Sequence, residues 1–145
     1  MKNCKWLILL GLMIVPAFAG SDKVGKLVVN LDKFDKDSGV VLVCLFNKAD
    51  GFPAKADSAF KKSIGKIKNK QAQVVFDSIP FGVYAVSAMH NLDGSGIVKL
   101  DKLGLPAEGY GVSNNIRARF GPPLFSDAKF FVVIKKKEIL IDLIE

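Results

Sequence analysis

The sequence predicts an all-β protein, a single antiparallel β-sandwich of about seven strands with one long loop rich in Gly and Asn. Short segments of alternating or continuously apolar residues recur along the chain and are separated by turn residues, which is the pattern of β-strands. Strand-like and helix-like segments do not alternate, which argues against a parallel α/β fold. The 145 residues, 50% of them hydrophobic, suit one domain with a sizeable core rather than two.

Residues 1–19 form a predicted signal peptide. Two lysines give a positive start, an apolar segment covers residues 6–15, and Ala17-Phe18-Ala19 fits the small-x-small cleavage pattern. The apolar segment is about half as long as the roughly 20 residues that span a bilayer. We therefore expect cleavage after residue 19, which leaves residues 20–145 as one domain, periplasmic or secreted, with no integral membrane segment.

Charge and cysteine content restrict the partners and the chemistry. Lys2 and Lys5 leave with the signal peptide, so 19 of the 21 basic residues remain against 14 acidic ones, a net charge of +5. The basic residues are scattered, which indicates a solvated surface with a weak preference for anionic partners. Nucleic acid is not expected as a partner of an exported protein. Cys44 lies in the apolar segment 40–46, which predicts a small buried hydrophobic residue rather than a nucleophile.

Six segments have the pattern of strands. They cover residues 24–31, 40–46, 72–76, 83–89, 130–134 and 139–143. The second is apolar throughout, so we expect a central strand that is covered on both faces. Asp57 or Ser58 is predicted to cap a short helix that ends at Lys62. The charged residues 135–138 are predicted to form a hairpin loop between the last two strands.

Two resemblances extend this prediction. The pattern Phe76-x-x-Ile79-Pro80-x-Gly82-x-Tyr84 resembles the strand-turn-strand signature of transthyretin-like and carboxypeptidase-regulatory-like β-sandwiches. This resemblance implies an Ig-like or transthyretin-like sandwich and no particular chemistry.

The second resemblance covers most of the chain. Its motif reads Gly104-Leu105-Pro106-x-Glu108-Gly109-Tyr110-Gly111-Val112-Ser113-Asn114-Asn115, followed by Pro123-x-Phe125-x-Asp127-Ala128. The motif is similar to a family of exported bacterial proteins catalogued as domain of unknown function 2141. The resemblance implies an exported β-sandwich without assigned catalytic residues. The loop after His90 departs from the usual Asp-x-Asn-x-Asn-Gly pattern of that family, which weakens any ion-binding role that the family shares.

Four residues of the long loop are candidate metal ligands. Asn91, Asp93 and Ser95 are spaced by two and followed by a glycine, as in the first half of a calcium loop, and Asp101 is a fourth candidate. The closing acidic ligand is missing, because Lys102 stands at its position, so only weak Ca²⁺ binding is expected. The alternative is a loop that is stabilised by its own hydrogen bonds.

Five residues in and beside the loop are candidate ligand-binding residues. They are His90, Tyr110, Ser113, Asn114 and Asn115. An aromatic ring beside amide side chains suits a carbohydrate or a protein ligand. The alternative is a packed loop in which Tyr110 covers the edge of the sandwich and an Asn caps a turn.

A hydrolase would use His90, the only histidine, with Asp93 or Asp101. A catalytic triad needs a base that is oriented by a carboxylate and contacts a nucleophile, and the sequence carries no nucleophile-elbow motif. We therefore predict no catalytic residues.

Together these patterns favour an exported, non-catalytic protein, a binding or accessory module that uses the loop at residues 90–115. Two alternatives stay open, a calcium-stabilised structural module and the hydrolase built on His90. No cofactor is expected in the first case, and a weakly bound Ca²⁺ is expected only in the calcium-stabilised module.

Overall fold

The protein is all-β, with two sheets and little helix. A computed structural model describes residues 23–104 and 106–144. Within these residues the strands are β1 Val24–Asp32, β2 Val40–Phe46, β3 Lys61–Lys66, β4 Ala72–Pro80, β5 Gly82–Asn91, β6 Tyr110–Val112, β7 Phe130–Val132 and β8 Lys136–Asp142. One four-residue helix, α1, covers Phe125–Ala128. The predicted signal peptide and its cleavage site lie outside the described residues.

The strands form a small and a larger sheet. The small sheet has the order β4-β1-β8, and the larger sheet has the order β3-β2-β5-β6 with β7 also paired to β5. All strand pairs are antiparallel except β1 and β8, which run parallel from Lys26–Lys136 to Asp32–Asp142. The prediction that all strands pair antiparallel is therefore wrong for β1 and β8. The described residues form eight strands, one more than the predicted number of about seven.

One hydrophobic core lies between the two sheets. Leu27 and Val29 of β1, Val43 of β2 and Val86 of β5 are fully buried in it, together with Ile141 of β8. Alternate residues of each strand face this core, as strand geometry requires. Each large aliphatic side chain buried here stabilises the fold by roughly 1.5–3 kcal/mol. The other face of the larger sheet is left for a second set of contacts.

The predicted helix from Asp57 or Ser58 to Lys62 is wrong. The chain makes a short 3₁₀ turn at Ala56–Ser58 and then enters the edge strand β3. Every residue of β3 has a partner in β2, so the central strand satisfies the backbone groups that a helix would pair internally. Gly65 faces inward, where a Cβ would come within 2.9 Å of Val74 and 3.0 Å of Val41. The packing of β3 against the core therefore requires glycine.

The predicted hairpin at residues 135–138 is also wrong. β7 pairs with Gly82–Tyr84 of β5 in the larger sheet, whereas β8 pairs with β1 in the small sheet. The chain therefore crosses from one sheet to the other between Val132 and Lys136. The sequence showed two β-prone segments that flank charged residues, and this pattern is the same for a hairpin and for a crossover.

A small second core covers part of the outer face of the larger sheet. Ala85, Val112 and Ala128 are buried there, and Phe52 and Phe125 pack against them. The two aromatic rings meet edge to face with their centroids 5.9 Å apart. The segment after β2 and helix α1 are thus fastened to this face, and Leu42 and Ile64 lie on a part of it that stays accessible.

Candidate functional site

An apolar groove lies on the accessible part of this outer face. Its floor comes from three adjacent strands, because Leu42 of β2 is paired with Ile64 of β3 on one side and with Met89 of β5 on the other. Cys44 extends the floor along β2. The groove has a volume of about 400 Å³, and its other lining residues are Val43, Ala56, Asp57, Lys62, Ser63, Gly96 and Val98. A volume of this order suits a small ligand.

The loop at residues 90–115 forms one wall of the groove. Gly96 and Val98 belong to this loop, whereas Ala56 and Asp57 come from the segment that precedes β3. On the same face Ser87 donates a hydrogen bond from its Oγ to the Pro53 carbonyl at 2.8 Å, which fastens the segment after β2. Two chain segments far apart in sequence therefore frame one apolar floor.

Charge is present only at the rim. Lys62 and Asp57 form an ion pair with an Nζ–Oδ1 distance of 3.5 Å, and both side chains are exposed to solvent. Exposed pairs of this kind contribute little to stability, so a ligand anion competes for Lys62 at small cost.

The Cys44 side chain is buried and chemically quiet. Removal from solvent raises the pKa of its thiol to about 11, and the nearby Lys62 charge opposes this only in part. The thiol is therefore protonated at neutral pH and is a poor nucleophile. The prediction that Cys44 is a buried hydrophobic residue is confirmed.

The first turn of the loop is held by Asn91. This side chain is buried, and its Nδ2 donates to the Ile97 carbonyl at 2.9 Å while its Oδ1 accepts the Gly96 amide at 3.0 Å. Because β5 continues to Asn91, two residues further than predicted, the side chain lies inside the fold. Both polar ends of the Asn91 amide are thus engaged by the loop backbone.

Asp93 and Asp101 lie on the exposed part of the same loop. Asp93 is paired with Lys99 at 2.7 Å and accepts the Ser95 amide at 3.0 Å. The hydrogen bond from Lys99 is the main cause that holds the pKa of the Asp93 carboxyl well below its usual range, and the hydrogen bonds from Ser95 add to it. The same bond to Asp93 raises the pKa of Lys99. Asp101 accepts the Leu103 amide at 2.8 Å, which closes a local turn.

The candidate metal ligands are therefore distributed over a loop with its own internal bonds. Residues 23–104 and 106–144 contain no group of three or more His, Cys, Asp or Glu side chains placed to hold a metal. In the same part of the chain every buried side-chain nitrogen or oxygen has a hydrogen-bond partner. The arrangement matches the alternative of a loop stabilised by its own hydrogen bonds.

His90 is buried and points into the protein. Its Nε2 lies 2.8 Å from the Ser38 carbonyl, and its ring meets Phe34 edge to face at 5.2 Å. The side chain therefore packs against the connection between β1 and β2, whereas Asp93 and Asp101, which the hydrolase alternative would pair with it, lie on the exposed part of the loop. Gly39 in this connection has a positive φ, and a Cβ there would meet the backbone of Asn91 and Leu92.

Ser113 is a buried junction between three segments. Its Oγ accepts the Val86 amide at 2.9 Å and donates to the Ala128 carbonyl at 2.6 Å. The β5–β6 ladder ends at Ser87, so the hydroxyl replaces the next ladder partner. The side chain holds β5 against the end of α1.

Asn114 and Asn115 continue this junction. Asn114 adopts a positive φ and donates from Nδ2 to the Asp127 and Lys129 carbonyls, each at 3.0 Å. Asn115 accepts the Asp142 amide at 2.8 Å, which fastens the larger sheet to β8. Asn114 and Asn115 are exposed, but their side-chain amides already form hydrogen bonds with backbone groups.

Tyr110 joins the two sheets and lines a second recess. Its backbone exchanges hydrogen bonds of 2.9 and 2.8 Å with Ile144, so β6, which had been predicted as loop, connects to the segment after β8. Tyr110 and Met89 line a narrow recess that Gly104, Pro106 and Pro122 enclose. Of the predicted ligand-binding residues, Tyr110 lines this opening in the outer face.

Comparison with known proteins assigns the chain to a family. A family model described as an uncharacterized protein conserved in bacteria (DUF2141) matches residues 29–140. The chain belongs to the DUF2141 family. The match runs from β1 into β8, so the DUF2141 region contains both sheets, the groove and the loop at residues 90–115. No curated protein and no solved structure matches the chain. Within the part of the chain that the structure covers, no helix has the length and apolar character to cross a membrane.

The groove of this DUF2141 protein was missed at the sequence level. One signal could have found it, since β2 is apolar at every position, and the positions that face away from the core need an explanation of their own. Leu42 and Cys44 are two of these outward positions, and Ile64 and Met89 flank Leu42. Their alignment depends on the register of three strands, which no single segment specifies.

Proposed function

We propose that this DUF2141 protein is an exported, non-catalytic binding module whose ligand lies in the groove on the outer face of the larger sheet. The observation that carries the proposal is the groove itself, with an apolar floor of Leu42, Met89 and Ile64 and a volume of about 400 Å³. Monomeric proteins expose few concave apolar surfaces without a use for them. The wall at Gly96 and Val98 gives the loop at residues 90–115 its part in binding.

The lining indicates the class of ligand. The floor favours an apolar body, and Lys62 at the rim favours an anionic group at one end of that body. The Asp57 carboxylate lies 3.5 Å from the Lys62 ammonium and is fully exposed, so it can turn into solvent when an anion binds Lys62. We therefore propose a small amphipathic anion as the ligand.

The chemistry of the nearby side chains supports binding rather than catalysis. The His90 ring lies under the loop, against Phe34 and the Ser38 carbonyl, and the raised pKa of Cys44 keeps that thiol protonated. A hydrolase needs a base that contacts a nucleophile in an open site. Neither residue has that environment.

We also propose an Ig-like or transthyretin-like sandwich for the finer class of the fold. The support is that two sheets share one core and that the Tyr84 hydroxyl donates to the Pro80 carbonyl at 2.6 Å. A tyrosine bonded to the backbone a few residues upstream is the corner contact of Ig-like sandwiches. Export to the periplasm or the medium rests on the leader at residues 1–19.

Binding of 1-anilinonaphthalene-8-sulfonate, a small aromatic anion, tests the groove. We expect saturable fluorescence at one site of the folded protein, and Ile64→Glu should weaken it by at least about tenfold, since a carboxylate then stands in the apolar floor. Val75→Glu is the matched control, because Val75 is also an exposed β-branched strand residue but belongs to the small sheet. Equal binding by both variants and the wild type would refute the proposal.

A further inference from the structure

Two of the most exposed large apolar side chains lie in different loops. Phe120 is 94% exposed and Leu103 is 84% exposed. A single exposed apolar side chain is ordinary, but several that cluster on one part of the surface indicate an interaction site. Phe120 lies in the connection between β6 and α1, and Leu103 lies in the long loop between β5 and β6.

The two loops meet over the larger sheet. Gly104, the neighbour of Leu103, and Pro122, two residues after Phe120, line the same narrow recess above Met89 and Tyr110. The two exposed side chains therefore belong to segments that converge at one place on the surface. We name residues 100–104 and 117–124 together the apolar tip; it also contains the exposed Leu100 and Leu124.

The charge of the apolar tip is positive. Arg117 and Arg119 are the only arginines of the chain, and they lie three residues and one residue before Phe120. Residues 116–124 contain no acidic residue. Both arginines are exposed, and neither forms an ion pair within residues 23–104 and 106–144. Lys102 adds a third positive charge beside Leu103, and the negative charge of Asp101 next to it offsets that of Lys102.

We propose that the apolar tip docks on an anionic lipid surface, with Phe120 and Leu103 entering the interfacial region and Arg117 and Arg119 contacting lipid phosphates. An aromatic ring next to unpaired cations matches the layered structure of such a surface, in which anionic headgroups lie above acyl chains. Arginine also binds phosphate with two parallel hydrogen bonds. This docking would hold the protein at the surface of the membrane through the loops of the apolar tip.

The test uses vesicles of phosphatidylcholine with and without phosphatidylglycerol, and Phe120→Trp as a reporter. We expect a blue shift of the added Trp fluorescence on phosphatidylglycerol vesicles, after subtraction of the spectrum of the parent chain, which carries Trp6. Phe131→Trp is the matched control, since Phe131 is 61% exposed but lies in β7, away from the apolar tip. All variants share one N-terminus, so a retained leader affects each of them equally.

Three further variants separate the contributions of the two arginines and of the aromatic ring. Arg117→Gln and Arg119→Gln should each weaken vesicle partitioning about fivefold. Phe120→Ser should weaken it at least about tenfold without lowering the melting temperature. None of these residues lines the groove, so binding of the naphthalene sulfonate should stay unchanged.

Three results would overturn the proposal. The first is that the wild-type protein does not bind phosphatidylglycerol vesicles at low salt, whether or not it binds the acidic polymer polyglutamate. The second is an equal blue shift at positions 120 and 131. The third is vesicle binding that survives loss of both arginines.

Discussion

Replacement of Ser113 by Ala should destabilise the protein far more than the loss of one hydroxyl suggests. The Oγ of Ser113 serves two backbone groups, the Val86 amide at 2.9 Å and the Ala128 carbonyl at 2.6 Å, and all three residues are buried. Each buried backbone group that is left without a partner costs roughly 1–3 kcal/mol. For two groups we therefore expect a loss of about 2–6 kcal/mol in the free energy of unfolding, a large part of the roughly 5–15 kcal/mol typical of a domain.

Equilibrium unfolding in urea measures this loss. The midpoint should fall while the slope with denaturant stays the same, because the folded state keeps its extent. Ser126→Ala is the control, since Ser126 is an exposed serine of the adjacent helix α1 and should change stability by no more than about 0.5 kcal/mol. Hydrogen exchange at the Val86 amide should also become faster in Ser113→Ala. A loss equal to that of the control would refute the view of Ser113 as a junction.

Four further predictions follow from buried and paired groups. The pKa of Asp93 lies below 3.8 in the folded protein, so its ion pair with Lys99 stabilises the folded state above that pH. The loss of stability that Asp93→Asn causes in thermal melts should therefore shrink as the pH falls from about 5 to about 2. Excess calcium and chelator should give the same melting temperature, because Lys99 already neutralises Asp93; a rise with calcium would contradict this. Cys44, measured in a Cys4→Ser chain, should react with thiol reagents at pH 8 only after unfolding, and fast reaction of the native protein would disprove its burial. Tyr84→Phe should cost about 1–2 kcal/mol in urea unfolding, because the Pro80 carbonyl loses its donor; an unchanged midpoint would speak against the corner contact.

The strands that the sequence predicted are those whose buried side is apolar. β2 is apolar at all seven positions, and the structure places it in the middle of the larger sheet as expected. β3 was missed because its inward positions include Ser63 and Gly65, which leave no alternation of apolar residues to detect. β6 was missed because three residues, two of them Tyr110 and Gly111, are too few for a periodic signal.

The environment of the site residues could be predicted only in part. Asp93 and Asp101 lie on the surface of a Gly-rich loop, as their spacing indicated. The burial of His90 depends on Ser38 and Phe34, which are more distant in sequence than any local pattern reaches. The family resemblance that the Gly104–Asn115 motif indicated is confirmed. That motif contains Ser113 and Asn115, which connect parts of the fold, and it contains none of the residues that line the groove.

The parallel pairing of β1 with β8 has a consequence for the order in which the chain can fold. β1 comes near the start of the described residues and β8 near their end, yet they are neighbours in the small sheet. While the ribosome is still making the chain, one edge of β1 lacks its partner, and such long-range pairings form slowly. By postponing completion of the small sheet, this topology leaves the last step of folding until β8 has been synthesised.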